Sequence, residues 1–292
     1  MTTTPLPPRA GRRCQSLLNT LHASVYFSSE CAEEFAKLGV TERPAVNFAH
    51  RAGALGPVGP STVAAVFNSY KPEFIEEYVP EVWRTVAPDE AVDARYRAVD
   101  RLLRRVLGEE RALSAETAEA AGLALRAVEA CAPYGRPLYA AHADLPVPLL
   151  DESPHLALWH AATLLREYRG DGHIAVLQDA ELTGLDAQVS HTASGRGMSR
   201  KWVALTRGWN DEDWAAATER LRSRGLLDAD GELTEEGAAL RTRLEEETDR
   251  LDRAPYEHLG AEGVARLTEL TGALVERLAA GGVFPGDLIG KR

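Results

Sequence analysis

The stretch Asn210 to Gly237, NDEDWAAATERLRSRGLLDADGELTEEG, contains the signals for a helix, a tight turn and a second helix. Asn210 is a favourable N-cap residue, and Asp213 three residues later completes a capping box. Gly225 favours a left-handed helix end, because glycine has no Cβ to clash in that conformation. One apolar stripe repeats at helical spacing between them, formed by Trp214, Ala217 and Leu221.

The nine residues after Gly225 predict a hairpin. Leu226-Leu227 and Glu232-Leu233 flank the turn sequence Asp228-Ala229-Asp230-Gly231, a pattern typical of two short paired strands. Thr234 then caps a second helix, with two glutamates in its positive first turn. A helix, a hairpin and a helix in this order predict a winged helix-turn-helix domain with a two-stranded wing.

Composition places the chain among soluble globular proteins. The 292 residues are 45% hydrophobic and 26% charged. There is no run of 18 apolar residues and no apolar signal segment at the N-terminus, so we expect a cytoplasmic protein that does not enter a membrane. Three cysteines without a CxxC pair fit a reducing compartment. The net charge of −11 weakens a DNA-binding hypothesis without excluding it, since one basic face is enough to contact phosphate.

Helical spacing and N-cap residues recur through the rest of the chain, so the predicted fold class is mainly α. The Pro/Thr-rich residues 1–10 predict a disordered tail, and residues 11–131 a helical N-terminal domain. Five prolines predict a linker at 132–154, followed by the winged-helix domain and C-terminal helices at 155–292. The last helix, about 261–280, carries a leucine-rich stripe that suits either core packing or a dimer seam.

Two sets of sequence segments resemble known families. Leu221–Leu227 with Leu233–Gly237 resembles the MarR-like winged-helix proteins over roughly residues 155–280. The whole chain is similar to an actinobacterial family labelled helix-turn-helix. The phrases that carry this second resemblance are Phe48–Arg51 with Leu55-Gly56, Asn68 with Pro72, Leu158-Trp159, Leu165–His173 and Arg207–Trp209. The resemblance implies a fold and brings no activity with it.

In a MarR-like module the recognition helix corresponds to Asp211–Ser223 and the wing to residues 226–233, which implies duplex DNA as a partner. Both segments are acidic at the ends that would face DNA, and carboxylates repel phosphate. A basic face is nevertheless available on the predicted loop at 194–201 and on the C-terminal part of the recognition helix. Its candidate residues are Arg196, Arg200, Lys201, Arg220 and Arg222.

The densest polar group lies at residues 166–173, for which we predict a helix ending before Gly170 and a new helix capped by Asp171. Arg166 and Arg169 share a helix side and can clamp an anion. A second group, His50-Arg51, lies in a predicted Gly/Pro-rich loop at 40–60. We expect both groups to line a small-molecule site between the two halves of the chain. The candidate ligand-binding residues are His50, Arg51, Asn68, Trp159, Arg166, Arg169 and His173.

Alternatives stay open at this point. Each of these residues also has a structural interpretation, as a cap or an ion-pair partner. No metal-ligand spacing is present, and nothing selects a haem or iron held by His50, His173 or His22, so the cofactor is unknown. The first hypothesis is a dimeric, ligand-responsive regulator that binds an anionic or aromatic molecule. The alternatives are an interaction module or an enzyme of secondary metabolism, with His173, Glu167 or Asp171 as candidate catalytic residues.

Overall fold

The computed structural model describes residues 5–288, so part of the predicted disordered tail at 1–10 lies outside the described residues. Short 3-10 turns at Ser24–Phe27 and Gly53–Leu55 join the α-helices. The helices are α1 Ala10–Ala23, α2 Ser29–Ala36, α3 Arg43–Ala52, α4 Pro60–Val66, α5 Pro72–Thr85, α6 Pro88–Leu107, α7 Glu109–Ala112, α8 Ala115–Val128, α9 Pro137–Ala143, α10 Pro154–Asp179, α11 Gly184–Ala193, α12 Arg200–Arg207, α13 Asp211–Ser223, α14 Glu235–Leu251 and α15 Arg253–Ala280. Within the described range, none of these helices is long and apolar enough to cross a membrane.

The chain forms two compact units, each assembled from separate stretches of sequence. Unit 1 comprises residues 1–57, 82–171 and 251–284, and unit 2 comprises residues 58–81, 172–250 and 285–292. The predicted mainly α character is confirmed.

Unit 1 has its core around α6 and α15. Cys14, Leu18 and Leu21 recur at helical spacing on α1 and are fully buried, so α1 packs along α15. α8 packs on another side of α15. The leucine-rich stripe of the last helix is buried in this core, which identifies it as core packing. Each buried leucine contributes about 1.5–3 kcal/mol of hydrophobic free energy.

Unit 2 has its core between α11 and α13, where Leu185 and Val189 of the first helix meet Ala217 and Leu221 of the second. Asn210 caps α13 as predicted. Its side chain accepts from the Asp213 N–H at 2.8 Å, and the Asp213 carboxylate accepts from the Asn210 N–H at 3.1 Å. α12, at residues predicted to be a loop, is an additional helix in this unit.

The predicted two-stranded wing is wrong. Among the described residues there is no β-strand, and the hairpin contributes one isolated antiparallel bridge, Leu227 to Leu233. The segment between Gly225 and Thr234 has too few residues for a four-residue turn and a ladder on each side of it. Two backbone bonds join the arms, from Asp228 N–H to the Glu232 carbonyl and from Thr234 N–H to the Leu226 carbonyl. The Asp228 carboxylate caps the turn between them, since it accepts from the N–H groups of Asp230 and Glu232, both at 2.9 Å. The connection is therefore a capped turn, and the MarR-like winged-helix fold class is not supported.

Two further predictions about helix limits are wrong, and both concern candidate site residues. His50 and Arg51 lie on α3, because Pro44 near its start and Gly53 at its end bound a helix of ten residues instead of dissolving it into a loop. Gly170 and Asp171 lie inside the continuous helix α10. One interior glycine costs only about 1 kcal/mol in a helix, which the packing of the surrounding apolar residues outweighs.

Candidate functional site

Five histidines of unit 1 are buried, with 1% or less of their surface exposed. His155 pairs with Asp100, and the other four lie around Arg95: His22, His50, His142 and His160. They come from α1, α3, α9 and α10. Burial lowers the pKa of all four, because an apolar environment disfavours the charged ring, and Arg95 lowers each further by charge repulsion. For His160 the pKa falls to about 4. All four rings are therefore neutral near pH 7.

Arg95 lies at the centre of these rings and is itself 1% exposed. Its Nη2 is 3.1 Å from His22 Nε2, and its Nη1 is 3.4 Å from each ring nitrogen of His142. The guanidinium carbon lies 4.5 Å from the centre of the Trp159 ring, a cation–π contact. The carboxylate that acts on Arg95 is that of Glu167, which is hydrogen-bonded to Arg166.

The Arg95 contact determines the tautomer of His22. A guanidinium can only donate, so His22 Nε2 accepts and the proton of the neutral ring lies on Nδ1. That buried Nδ1–H has no hydrogen-bond partner among the described residues. The ring itself is held firmly, since it stacks on Trp159 at 4.9 Å and 16°, and the Trp159 indole N–H donates to the His22 carbonyl at 3.2 Å.

Tyr26 joins His50 to the arginines. The His50 ring lies edge-on to Tyr26 at 5.3 Å, and the guanidinium carbons of Arg51 and Arg166 lie 5.8 and 5.7 Å from the centre of the same ring. Within the described chain the Tyr26 hydroxyl and both His50 ring nitrogens are buried without a hydrogen-bond partner. Buried polar atoms are normally paired, so this concentration of unpaired atoms marks a place that can receive a ligand. We call the whole group the histidine–arginine cluster; it comprises His22, Tyr26, His50, Arg51, Arg95, His142, Trp159 and Arg166.

The structure brings four of the predicted ligand residues together in this cluster: His50, Arg51, Trp159 and Arg166. Arg169, also in unit 1, pairs with Asp252 at 3.3 Å. Asn68 and His173 belong to unit 2. There the Asn68 carbonyl closely approaches Gly184, and His173 Nδ1 is 2.8 Å from the Thr248 hydroxyl.

Two candidate catalytic residues of unit 1 have structural partners. Asp171 is no cap of its own helix; its carboxylate accepts from the N–H groups of Leu138 and Tyr139 at 3.0 and 2.9 Å, and so caps α9 from a distance. Burial raises the pKa of Asp171 to about 6, with a further contribution from the charge of Glu167. Glu167 itself accepts from Arg166. Because α9 carries His142, Asp171 positions one ring of the cluster.

The candidate DNA-binding residues lie in unit 2 and most have intramolecular partners. Arg200 and Lys201, on the first turn of α12, pair with Asp211 and Asp287. Arg220 donates twice to the buried carboxylate of Asp186, at 2.8 and 3.1 Å. Arg222 donates to the carbonyls of Asp228 and Ala229 in the turn. Arg196 is exposed before α12.

Sequence reasoning did not single out Arg95, His142 and Tyr26. For Arg95 a signal was present: it lies on the face of α6 that also carries Ala91, Ala98 and Leu102, where an arginine must be buried. No local signal existed for the other two, since they meet Arg95 and His50 only through tertiary packing. Within residues 5–288, no group of three or more His, Cys, Asp or Glu side chains is placed to hold a metal ion.

Comparison with known proteins agrees with the helical architecture. The chain belongs to a helix-turn-helix family, whose model matches residues 11–285. This match does not distinguish MarR-like proteins from other helix-turn-helix proteins. No curated protein and no solved structure matches the chain. Helix-turn-helix proteins commonly place one helix in the major groove of DNA, so the family supports a DNA-binding, regulator-like role.

Proposed function

We propose that the protein is a ligand-responsive transcriptional regulator of the cytoplasm, with a small molecule bound in the histidine–arginine cluster of unit 1. The observation that carries this proposal is the concentration of buried, unpaired polar atoms on His22, His50, Tyr26 and Arg95. Leaving one such atom unpaired costs about 1–3 kcal/mol, so a ligand that pairs several of them is bound with a large gain. Membership of a helix-turn-helix family supplies the second half of the proposal.

For the DNA contact we propose the exposed basic surface of unit 2, formed by Arg196, Arg200 and Lys201. Ion pairs such as Arg200 with Asp211 are exposed, and exposed pairs contribute only about 0–1 kcal/mol. These side chains can therefore exchange an aspartate for a phosphate at little cost. Arg220, with its buried Asp186 partner, is held more firmly and contributes mainly to packing α13 on α11.

The test of the DNA contact uses fluorescence anisotropy with a labelled random duplex at low and moderate salt. The double variant Arg200→Ala/Lys201→Ala should lower affinity and reduce the salt slope by about two phosphate contacts. Arg250→Ala is the matched control, because Arg250 is an exposed arginine of unit 2 that pairs with Glu247. Absence of retardation by the unaltered protein even at low salt would refute the DNA-binding half of the proposal.

We also propose that the regulator acts as a homodimer, since DNA half-sites are commonly read by two copies. Light scattering on the full chain in solution should give twice the chain mass of 31.7 kDa. A mass of one chain at micromolar concentration, with DNA binding retained, contradicts the dimer.

One observation favours a second function, an enzyme. His50 is a neutral imidazole with an unpaired acceptor nitrogen, and a neutral imidazole next to an anion site can act as a general base. Mass spectrometry of a bound small molecule before and after incubation separates the two functions. A regulator returns its ligand unchanged, whereas an enzyme converts it, and His50→Gln should then abolish conversion while binding remains.

A further inference from the structure

The unpaired atoms of the histidine–arginine cluster are mostly hydrogen-bond donors. Arg95 Nε carries a proton and cannot accept, and it has no acceptor among the described residues. His22 Nδ1 carries the proton of its ring, because Nε2 accepts from Arg95. The Tyr26 hydroxyl also offers a proton. The neutral His50 ring adds one unpaired donor nitrogen and one unpaired acceptor nitrogen. Donors therefore outnumber acceptors among the atoms that lack a partner, so the group missing from the cluster is mainly an acceptor.

Charge leads to the same kind of ligand. The buried positive charge of this region is that of Arg95, and the carboxylate that acts on it, Glu167, is already hydrogen-bonded to Arg166. The imidazoles are neutral and compensate nothing. A buried positive charge without a full counter-charge is strongly disfavoured, and an entering anion removes that penalty.

The walls of the cluster are aromatic. His22 stacks on the Trp159 ring, while Tyr26 presents its ring to the guanidinium groups of Arg51 and Arg166. Flat rings pack against such walls with little loss of conformational freedom.

From these three observations we infer that the cluster binds a small aromatic carboxylate. Its carboxylate accepts from the unpaired donors of Arg95, His22 and Tyr26, and its ring packs among the aromatic side chains. The inference rests on the ligand site of the proposed function and adds the chemical class of the ligand. Arg95, rather than the Arg166 and Arg169 pair expected from the sequence, is the main anion-binding residue.

The experiment measures binding to the full chain by calorimetry, with benzoate and benzamide as probes. The two probes have the same shape and differ in charge. Benzoate should bind at least about tenfold more tightly than benzamide, the ratio expected when a charged hydrogen bond replaces a neutral one. Equal affinity for the two probes, or no binding of benzoate up to about 10 mM, overturns the inference.

Variants locate the site. Arg95→Gln should weaken benzoate binding by about 10- to 100-fold, and Tyr26→Phe, which removes only a hydroxyl, by about 3- to 10-fold. Arg97→Gln is the control, since Arg97 lies on the same helix but on its exposed side, paired with Glu34. Tyr26→Phe keeps the test valid if Arg95→Gln does not fold. Benzoate binding that neither Arg95→Gln nor Tyr26→Phe changes contradicts the assignment.

DNA binding, measured separately with and without benzoate, distinguishes this inference from the proposed function. If benzoate binds but DNA affinity stays the same, the regulator proposal fails and the carboxylate site stands. If DNA affinity responds to neutral compounds and not to carboxylates, the regulator stands and the inference fails.

Discussion

Four of the buried histidines of unit 1, those around Arg95, predict a protein that loses stability steeply in mild acid. His22, His50, His142 and His160 are neutral in the folded state, with pKa values held well below 6.5, and about 4 for His160. In the unfolded chain they titrate near 6.5. Because the folded pKa is the lower one, unfolding takes up protons. The resulting loss of folding stability is absent well above pH 6.5 and grows as the pH falls.

Each such histidine costs about 1.4 kcal/mol of unfolding free energy by pH 5.5. Four of them cost about 5–6 kcal/mol, which approaches the total stability of an ordinary domain, about 5–15 kcal/mol. Asp171 opposes this trend by only about 1 kcal/mol, as its raised pKa favours the folded state in acid. Glu34, with its pKa lowered to about 2, affects stability only below this range.

Urea unfolding at pH values from 7.5 to 5.0 tests this prediction, with tryptophan emission and circular dichroism following the loss of structure. The slope of the unfolding free energy near pH 5.5 should correspond to about three to four protons taken up, because each histidine gains almost one proton on unfolding and Asp171 loses most of one. His160→Gln should lower that number by about one. A slope of less than one proton between pH 6.5 and 5.5 would refute the conclusion that these rings are buried and neutral.

Three other predictions follow from single contacts. Asp171→Asn should be more stable than the unaltered chain at pH 7.5, by up to about 3 kcal/mol. The reason is that the folded pKa of about 6 exceeds the unfolded value, so the ionised carboxylate is disfavoured in the folded state. Urea unfolding should show that the difference in stability vanishes by pH 4. Arg220→Ala should lower the free energy of unfolding by about 1–2 kcal/mol, because it leaves the Asp186 carboxylate, which is 4% exposed, without its arginine partner. Arg222→Ala should lower it by less than about 1 kcal/mol. Equal losses in the two variants contradict the structural role of Arg220. Asp211→Asn, at a carboxylate 88% exposed, should strengthen duplex binding and steepen its salt dependence by about one phosphate contact, and an unchanged anisotropy titration places the DNA surface elsewhere.

Local chemistry made part of the fold predictable. The capping box of Asn210 and Asp213, the glycine at 225 and the buried stripe through Ala217 and Leu221 all occur as the sequence indicates, because each depends on neighbours within a few residues. Gly225 has the positive φ of 70° that its position requires. The wing was mispredicted for a related reason. The same turn signals that precede paired strands also precede a turn whose backbone is capped by an aspartate side chain.

The candidate site was predictable only in part. The sequence predicts His50, Trp159 and Arg166 as ligand-binding residues. In the structure His50 and Arg166 both contact Tyr26, and Trp159 contacts Arg95. Arg95 itself contacts His22 and His142, which are 73 and 47 residues away in the chain. Contacts at that separation follow from packing of distant helices, for which a single sequence carries no pattern. The role of Asp171 as a cap for α9 was hidden for the same reason.

The discontinuous make-up of unit 1 has a consequence for how the protein is synthesised. α1 packs mainly on α15, whose residues Arg253–Ala280 are translated long after those of α1. Until α15 emerges from the ribosome, the apolar faces of α1 and α8 have no partner to cover them, and such faces are prone to aggregation. Residues 172–250, which form most of unit 2, are complete earlier and can fold while the nascent chain is still growing. A ribosome that stalls before residue 251 therefore leaves most of a folded unit 2 beside an unfinished unit 1, a substrate for chaperones rather than a working half-protein.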